Sequence, residues 1–384
     1  MHAVVPDPAR DGSPGPSKLP RILIVRAGAI GDTLMVTPLV RALRKSLPSA
    51  HLVFVCSRAA EDFLRHNPYL DEVLALSYRR LPSWMSPEKQ RLQRHLRGSK
   101  FDWALALESH PRLIDIALEA RPARVIAYGS LPAGPAYQQA SFDPQLHSIE
   151  NHLRAAEPLG IRPAGLEMDL HYPSRWDEAV AERLAASGID RQENLVGIHP
   201  GWGGRKHSIE QTRLRSWPPQ NFADVIRSLV KSRKVRVILT GSSADRELSE
   251  FIARLAGVPC LNLAGKMPLL ELAALIRRLN LYVTVDSGPA HMAAALGTPL
   301  VTLWGPGIFE QTAPVAGSGP VTILRHKVHC APCYGTPLMK SCQDNICMKQ
   351  IGVDEVLEAV EGMLRGLKTS TGSTPDRSGH RPQA

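Results

Sequence analysis

Hydrophobic residues in the first half of the chain occur in short runs, and a stretch with helical spacing follows the first of them. Such runs lie at residues 21–25, 52–55, 103–107 and 124–128, and the stretch at 38–47 has the spacing of an amphipathic helix. Alternating buried strands and helices are typical of βα units on a parallel sheet. The first half therefore predicts an α/β domain.

The second half repeats this rhythm more clearly. Runs at residues 195–198, 235–239, 281–285 and 300–304 predict strands. Helical stretches separate these strands. Apolar residues fall on one helix face at Phe222, Val225, Ile226, Leu229 and Val230, and residues 268–279 predict another helix. The sequence thus predicts a second doubly wound α/β domain.

Glycine and proline interrupt both patterns near residues 160–192, where we place the boundary between the domains. We expect an N-terminal domain over 21–175 and a C-terminal domain over 176–366. The segments 1–20 and 367–384 have almost nothing to bury, so they are predicted to be disordered tails.

Composition narrows the class of protein. Of 384 residues 43% are hydrophobic and 21% are charged, as in a soluble chain with an ordinary core. No run approaches the roughly 18–20 apolar residues of a spanning helix, and the first twenty residues are charged and proline-rich where a signal peptide is apolar. This predicts a cytoplasmic protein. The net charge of +10 favours anionic partners, which include nucleic acid, a membrane surface and phosphorylated small molecules.

The loop after the first predicted strand carries Gly28, Gly31 and Asp32. In open parallel sheets ligands bind beyond the carboxyl ends of the strands. Asp32 either caps the following helix or faces the cleft. Pro38 favours the second alternative, because with Asp32 as cap it would fall at the sixth helical position, where proline is poorly tolerated. With Thr37 as cap, Pro38 takes the favoured first position, and Asp32 is predicted to be free.

A second loop, Asp286 to His291, joins a predicted strand to an alanine-rich helix. Pro289 suits the first helical position, which leaves backbone N–H groups, the Ser287 hydroxyl and His291 at a helix N-terminus. The positive end of a helix is an anion site. The alternative is a plain capped helix with a stacked histidine.

A third loop, between His199 and Pro218, is rich in basic residues. These are Arg205, Lys206, Arg213 and Arg215. One alternative is that they are solvated surface charge. The other is that at least one of them binds a phosphate, because this loop and the second loop both follow strand ends.

Four of the six cysteines cluster near the C-terminus. They form the pattern Cys330-x2-Cys333-x8-Cys342-x4-Cys347. The first pair has the spacing of a zinc site, whereas the second pair does not. We expect reduced thiols that pack or line the cleft, with a structural zinc as the alternative.

Taken together, these segments resemble glycosyltransferase family 9, which contains the ADP-heptose:lipopolysaccharide heptosyltransferases. The resemblance covers most of residues 21–362. Its N-terminal mark is matched by Gly31, Asp32 and Pro38, and its C-terminal mark by Asp286, Ser287, Gly288, His291, Gly305 and Pro306.

The resemblance implies a GT-B fold of two Rossmann-like domains across a cleft, and inverting transfer with no cofactor and no obligatory metal. It implies an ADP-heptose-like nucleotide-sugar donor, and a lipopolysaccharide-core or similar glycan, lipid-anchored or soluble, as acceptor. The N-terminal domain would bind the acceptor, and Asp32 would be the catalytic base. The implied donor site comprises Gly201, Trp202, Arg215, Asp245, Met267, Asp286, Ser287, Gly288 and His291. Arg215 stands where the family usually has lysine.

Two rival functions stay open from the sequence. One is a nucleotide-sugar-binding protein without catalysis. The other is a basic protein bound to nucleic acid or to a membrane, because residues 79–100 interleave Trp84 with arginines. No recognised nucleic-acid motif accompanies this stretch, so we favour contact with the inner face of the cytoplasmic membrane or an acidic acceptor, against a merely solvated helix.

Overall fold

The computed structural model describes residues 19–77, 83–190, 192–202, 214–233 and 235–369. Most of both predicted tails lies outside these ranges, as does a group of basic residues considered above. This group comprises Arg79, Arg80, Arg205, Lys206 and Arg213.

The N-terminal half forms a six-stranded sheet in which all strands are parallel. Its strands are β1 Arg21–Arg26, β2 His51–Ser57, β3 Glu72–Leu76, β4 Trp103–Ala106, β5 Arg124–Ala127 and β6 Tyr137–Gln139, in the order β3-β2-β1-β4-β5-β6. The four predicted strands are confirmed. The strands that the apolar runs missed are the two at the edges, β3 and β6, which are less buried.

Helices connect these strands and cover the sheet. They are α1 Ile30–Leu34, α2 Thr37–Ser46, α3 Arg58–Leu64, α4 Pro87–Gly98, α5 Pro111–Glu119 and α6 Ser148–Ala155. Short 3-10 helices lie at Ser83–Met85 and Glu157–Leu159. The helix predicted over 38–47 corresponds to α2.

The C-terminal half contains a second parallel sheet. Its strands are β7 Leu195–His199, β8 Arg236–Leu239, β9 Leu261–Asn262, β10 Leu281–Val285, β11 Leu300–Leu303 and β12 Val321–Leu324, in the order β12-β11-β10-β7-β8-β9. The four predicted strands are again present. The unpredicted β9 and β12 are edge strands.

Nine helices are described in this half. They are α7 Arg175–Ala186, α8 Pro219–Arg233, α9 Arg246–Ala256, α10 Leu269–Arg278, α11 Gly288–Ala295, α12 Phe309–Thr312, α13 Pro337–Lys340, α14 Ile346–Lys349 and α15 Val353–Thr369. A 3-10 helix spans Ser243–Asp245. The tail predicted from residue 367 begins too early, because α15 continues to Thr369. No helix in the described ranges has the length and apolarity needed to span a membrane.

Both sheets reverse their strand order beside a central strand, which is the point where doubly wound folds bind ligands. In the first sheet this point lies between β1 and β4, and in the second it lies between β10 and β7. The predicted pair of doubly wound domains is confirmed.

The two halves meet through α1 and α11. Gly288 of α11 faces Ile30 of α1, and a Cβ added at Gly288 would lie 3.1 Å from the Ile30 Cβ. One cluster of buried apolar side chains extends from β1 and β2 through α1 to α11 and β10. The hydrogen bonds that connect the halves include those from His147 Nε2 to the Ala313 carbonyl at 3.0 Å and from Gln311 Nε2 to the Pro144 carbonyl at 3.0 Å.

Candidate active site between the two sheets

Asp32 is the third residue of α1, directly beyond the carboxyl end of β1. Its Oδ2 accepts a hydrogen bond from the Ala29 N–H at 2.9 Å. The prediction that Asp32 has no capping duty is therefore wrong. The chain divides into two helices, and α2 begins at Thr37 with Val36 as cap and Pro38 as the second helical residue. Pro38 is thus tolerated while Asp32 satisfies an N–H of the first turn of α1.

The second Asp32 oxygen lies beside Arg26, with 3.4 Å between Oδ1 and Nη2. Two residues after β4 fix the position of Arg26, because its Nη1 donates to the Leu107 carbonyl at 2.7 Å and lies 3.5 Å from Glu108 Oε2. Glu108 also accepts the Ala27 N–H. The Asp32 side chain is 37% exposed, so an anchored carboxylate remains accessible from the cleft.

Gly28 is required for this arrangement. A Cβ at position 28 would lie 2.5 Å from the Asp32 Cβ and 2.7 Å from Oδ2. No real side-chain carbon approaches so closely. The close passage of the backbone beneath Asp32 therefore depends on glycine.

The second predicted loop forms the N-terminus of α11. Ser287 occupies the cap position, and Gly288 is the first helical residue, so Pro289 is the second residue rather than the first. The Ser287 hydroxyl lies 3.0 Å from Thr284 Oγ1 and makes no capping bond within the described ranges. Pro289 has no N–H and the Ala290 N–H donates to the Ser287 carbonyl at 3.1 Å, so the Gly288 N–H and the positive end of the helix dipole are what this turn presents to an anion.

His291 lies on α11 and is buried against α1. A Cβ at Gly31 would come within 2.6 Å of its Cδ2 and 3.1 Å of its Nε2. Its Nδ1 is buried and has no hydrogen-bond partner among the residues that the structure describes. Burial lowers the pKa of His291, although Asp286 and Asp32 act to raise it.

The structure brings the two predicted segments into direct contact. Asp32 and the Ser287 loop belong to different halves of the chain, and α1 packs on α11 through Gly31 and His291. The electrostatic influence of Asp32 on the pKa of His291 reflects this proximity.

Arg215 lies in a cage of one carboxylate and two aromatic rings. Its Nη2 donates to Asp286 Oδ2 at 2.5 Å and to the Asp286 carbonyl at 3.3 Å. Its guanidinium carbon lies 4.9 Å from the Trp202 ring centroid and 4.6 Å from that of Tyr334. A planar guanidinium can stack between two rings, which an ammonium group cannot do in the same way. This geometry explains how arginine fits a position where lysine was expected.

Tyr334 was missed by the sequence analysis. It follows Cys333, and the backbone N–H groups of both residues donate to the Pro306 carbonyl, at 2.9 Å from Tyr334 and 3.1 Å from Cys333. These bonds attach the cysteine-bearing segment to the loop after β11. The only signal in the sequence was an aromatic residue beside clustered cysteines, and its contact with Arg215 is a tertiary one.

Three other predicted donor residues lie beside β8 and β9. Asp245 is buried, and its Oδ2 accepts from the Ser242 N–H at 2.8 Å and from the Ser242 hydroxyl at 2.6 Å. Its Oδ1 lies against Gly201, where a Cβ would overlap it. Met267 is half-buried between Gly265 and α10.

The four clustered cysteines are free thiols, of which Cys333 and Cys347 are buried. Burial and the neighbouring cysteines raise the pKa of Cys347 to about 11 and raise that of Cys333. Cys347 packs at Gly305, where an added Cβ would lie 3.4 Å from its sulfur. The described part of the chain contains no group of three histidine, cysteine or acidic residues that could hold a metal ion.

Comparison with known families identifies this arrangement. The profile of glycosyltransferase family 9 (heptosyltransferase) matches residues 90–342, about two thirds of the sequence. The chain belongs to glycosyltransferase family 9. The predictions of a glycosyltransferase and of the GT-B fold are confirmed.

Similar proteins agree with this membership of family 9. Lipopolysaccharide heptosyltransferase 3 of Escherichia coli is 27% identical over 72% of this chain and 80% of its own length. The structure of E. coli ADP-heptose lps heptosyltransferase II superposes with a TM-score of 0.71 at 21% identity, over 91% of this chain and all of that one. E. coli heptosyltransferase WaaC with ADP-2-deoxy-2-fluoro heptose gives 0.61 at 16% identity, over 89% and 99%.

Proposed function

We propose that this family 9 glycosyltransferase transfers a heptose, with inversion and without a metal, from an ADP-heptose-like donor to a glycan of the lipopolysaccharide core. The observation that carries the proposal is the contact of the Asp32 loop with the N-terminus of α11. This contact brings together an accessible carboxylate and an anion site. The relatives named above support the choice of donor and acceptor.

In this proposal residues 21–175 bind the acceptor and residues 176–366 bind the donor. The division near residue 175 agrees with packing, because α7 lies against α10 of the second half, and Arg183 on α7 pairs with Glu271 on α10. Asp32 belongs to the first part, and the anion site at Ser287 belongs to the second.

Asp32 acts as the general base. It receives the proton of the acceptor hydroxyl while that oxygen attacks the anomeric carbon from the face opposite the leaving group. The bond between the anomeric carbon and the diphosphate oxygen breaks, and the new glycosidic bond has the inverted configuration. Arg26 holds the carboxylate in place through the contact between Nη2 and Oδ1.

The leaving diphosphate is bound by the N-terminus of α11 and by Arg215. The free N–H of Gly288, the first residue of α11, donates to a phosphate oxygen, and the close approach needs glycine at 288. His291, whose pKa is lowered by burial, donates as a neutral imidazole. Arg215 adds a full positive charge, held in orientation by Asp286 and the two rings.

Gly201, Trp202 and Met267 line the nucleoside end of the donor site in this proposal. The family resemblance implies a ribose contact for Asp245. Because its carboxylate is buried and accepts two hydrogen bonds from Ser242, we assign Asp245 to the support of Gly201 instead. Asp286, which pairs with Arg215, contacts the donor sugar in this proposal. We place the enzyme in the cytoplasm, in peripheral contact with the membrane that holds a lipid-anchored acceptor.

The test combines ligand binding with product analysis. Calorimetry with ADP, UDP and GDP should give tight binding for ADP alone. Incubation with ADP-heptose and a deacylated core acceptor in EDTA should yield one product, with an anomeric configuration by NMR opposite to that of the donor. Binding of no nucleoside diphosphate, or a retained configuration, would reject the proposal.

A further inference from the structure

Two large apolar side chains protrude from the turn between β3 and α4. Trp84 is 77% exposed and Met85 is 51% exposed, both on the 3-10 helix Ser83–Met85. Trp84 is the most exposed large hydrophobic side chain in the described ranges. Burying a tryptophan is strongly favourable, so this exposure is costly unless a partner covers it.

Beside this turn, α4 presents a basic outer face. Its inner face is buried through Leu92 and Leu96. Arg91, Arg94 and Arg97 are exposed, and their spacing of three residues keeps them within about a third of the helix circumference. Ser86 caps the N-terminus of this helix, because its Oγ accepts the Lys89 N–H at 3.3 Å.

One acidic residue lies close to this face: Glu119 interacts electrostatically with Arg97, whose Nε donates to the Glu119 carbonyl at 3.0 Å. Two further acidic residues are engaged with other groups. Glu88 accepts the Ser77 N–H and lies 3.4 Å from Arg58 Nη2, while Glu72 Oε1 is 2.7 Å from His95 Nε2. Their charge is therefore largely committed to other groups. The outer face of α4 keeps a net positive charge beside exposed apolar surface.

The position of this turn relates it to the active site. The chain leaves β3 at its carboxyl end, and all strands of the first sheet are parallel, so Trp84 and Met85 lie towards the same edge as the Asp32 loop after β1. A glycan attached to a lipid would approach the cleft at this edge.

We propose that Trp84, Met85, Arg91, Arg94 and Arg97 form a docking surface for an anionic lipid bilayer, here called the α4 surface. Tryptophan and methionine insert at the level of the headgroups, and arginines bind lipid phosphates. Nucleic acid fits less well, since its backbone offers no apolar layer for Met85. The inference names the membrane contact of the proposed function, but the contact does not depend on the transfer step.

The experiment measures sedimentation of the full chain with vesicles of phosphatidylcholine, alone or mixed with phosphatidylglycerol. We expect binding to the mixed vesicles and release by salt. Arg91→Glu combined with Arg94→Glu should weaken binding at least about tenfold. Trp84→Ala combined with Met85→Ala should weaken it severalfold, even at low salt.

The matched control lies on α9, in the other half of the molecule. Phe251 is 45% exposed there, and Arg254 is exposed one turn away. Phe251→Ala combined with Arg254→Glu should leave vesicle binding unchanged. ADP-induced stabilisation and turnover of a soluble acceptor should be normal in every variant, which shows that the fold survives.

Failure of this inference is distinct from failure of the proposed function. Three results would reject the α4 surface as a docking site: no binding of the wild-type protein to mixed vesicles, normal binding by the variants, or tighter binding to duplex DNA than to vesicles. None of these results would affect ADP binding or transfer. Loss of transfer with normal vesicle binding would instead reject the proposed function.

Discussion

Asp32 has two tasks that its two oxygens divide between them. Oδ2 accepts the Ala29 N–H, and Oδ1 faces Arg26. The first interaction fixes one carboxylate oxygen, and the second places the other oxygen beside a guanidinium. A carboxylate held in this way is already oriented when it meets an acceptor hydroxyl.

Asp32→Asn tests this division. The amide oxygen can still accept the Ala29 N–H, so α1 should persist, but the basic lone pair is lost. We expect turnover to fall by roughly 10²–10⁴, measured in single-turnover reactions. Thermal stabilisation by ADP should be unchanged and serves as the control. Near-normal turnover would return Asp32 to a purely structural role.

Tyr334 gives a second prediction at this scale. Its ring lies 4.6 Å from the Arg215 guanidinium carbon, and a cation–π contact contributes about 0.5–2 kcal/mol. Tyr334→Ala should therefore raise the KM for the donor roughly 2- to 30-fold with little change in the KM for the acceptor, whereas Tyr334→Phe should resemble wild type. Tyr137→Ala, at the exposed edge strand β6, is the control. Equal donor KM values in all three variants would refute a role for the ring.

At the scale of elements, the contact of α1 with α11 depends on small residues on both sides. Gly31→Ala would place a methyl group 2.6 Å from His291 Cδ2. Forcing such overlap costs typically about 1–3 kcal/mol. We expect a lower melting temperature and weaker ADP binding, both measured by calorimetry.

A glycine elsewhere provides the control for this substitution. Gly362 lies inside α15, and a Cβ there meets no atom within 4 Å. Gly362→Ala should stabilise the protein by up to about 1 kcal/mol, since alanine favours helix. Equal effects at both positions would mean that the α1–α11 contact is loose.

The elements also show how far the sequence could be interpreted. Apolar runs predicted every interior strand, because a strand covered on both faces must be apolar throughout. The edge strands β3, β6, β9 and β12 are partly exposed and carry no such signal.

The site was less predictable than the fold. Asp32, Ser287 and His291 follow strand ends, so topology alone places them at the correct edge of each sheet. The stacking of Arg215 between Trp202 and Tyr334 joins segments more than a hundred residues apart. Local spacing carries no information about such a contact. Pro38 was informative about a helix start but not about the short helix before it.

At the scale of the whole molecule, buried histidines link stability to pH. Burial lowers the pKa of His147, His152 and His291 and lowers that of His199 to about 4. The unfolded chain binds these protons more readily than the folded one, so stability is complete above the ordinary histidine pKa of about 6.5 and declines as pH falls below it.

Urea denaturation across this range measures the effect. The free energy of unfolding should be constant near pH 7.5 and should fall steadily from pH 6.5 to 4.5, by about 1.4 kcal/mol for each unit of lowered pKa that is traversed. His199→Gln should make the profile less steep. A free energy that does not vary with pH would contradict this account.

The turnover number of this enzyme should depend on the viscosity of the solvent. Ile30 and Gly31 lie against Gly288 and His291, so we expect the two helices to part when the donor sugar enters between them. Each catalytic cycle then includes a movement of the two halves of the protein, and such a movement slows as the viscosity of the solvent rises. Sucrose or glycerol should slow kcat in proportion to viscosity, whereas Gly31→Ala, which loosens the contact, should make the reaction less sensitive to the medium.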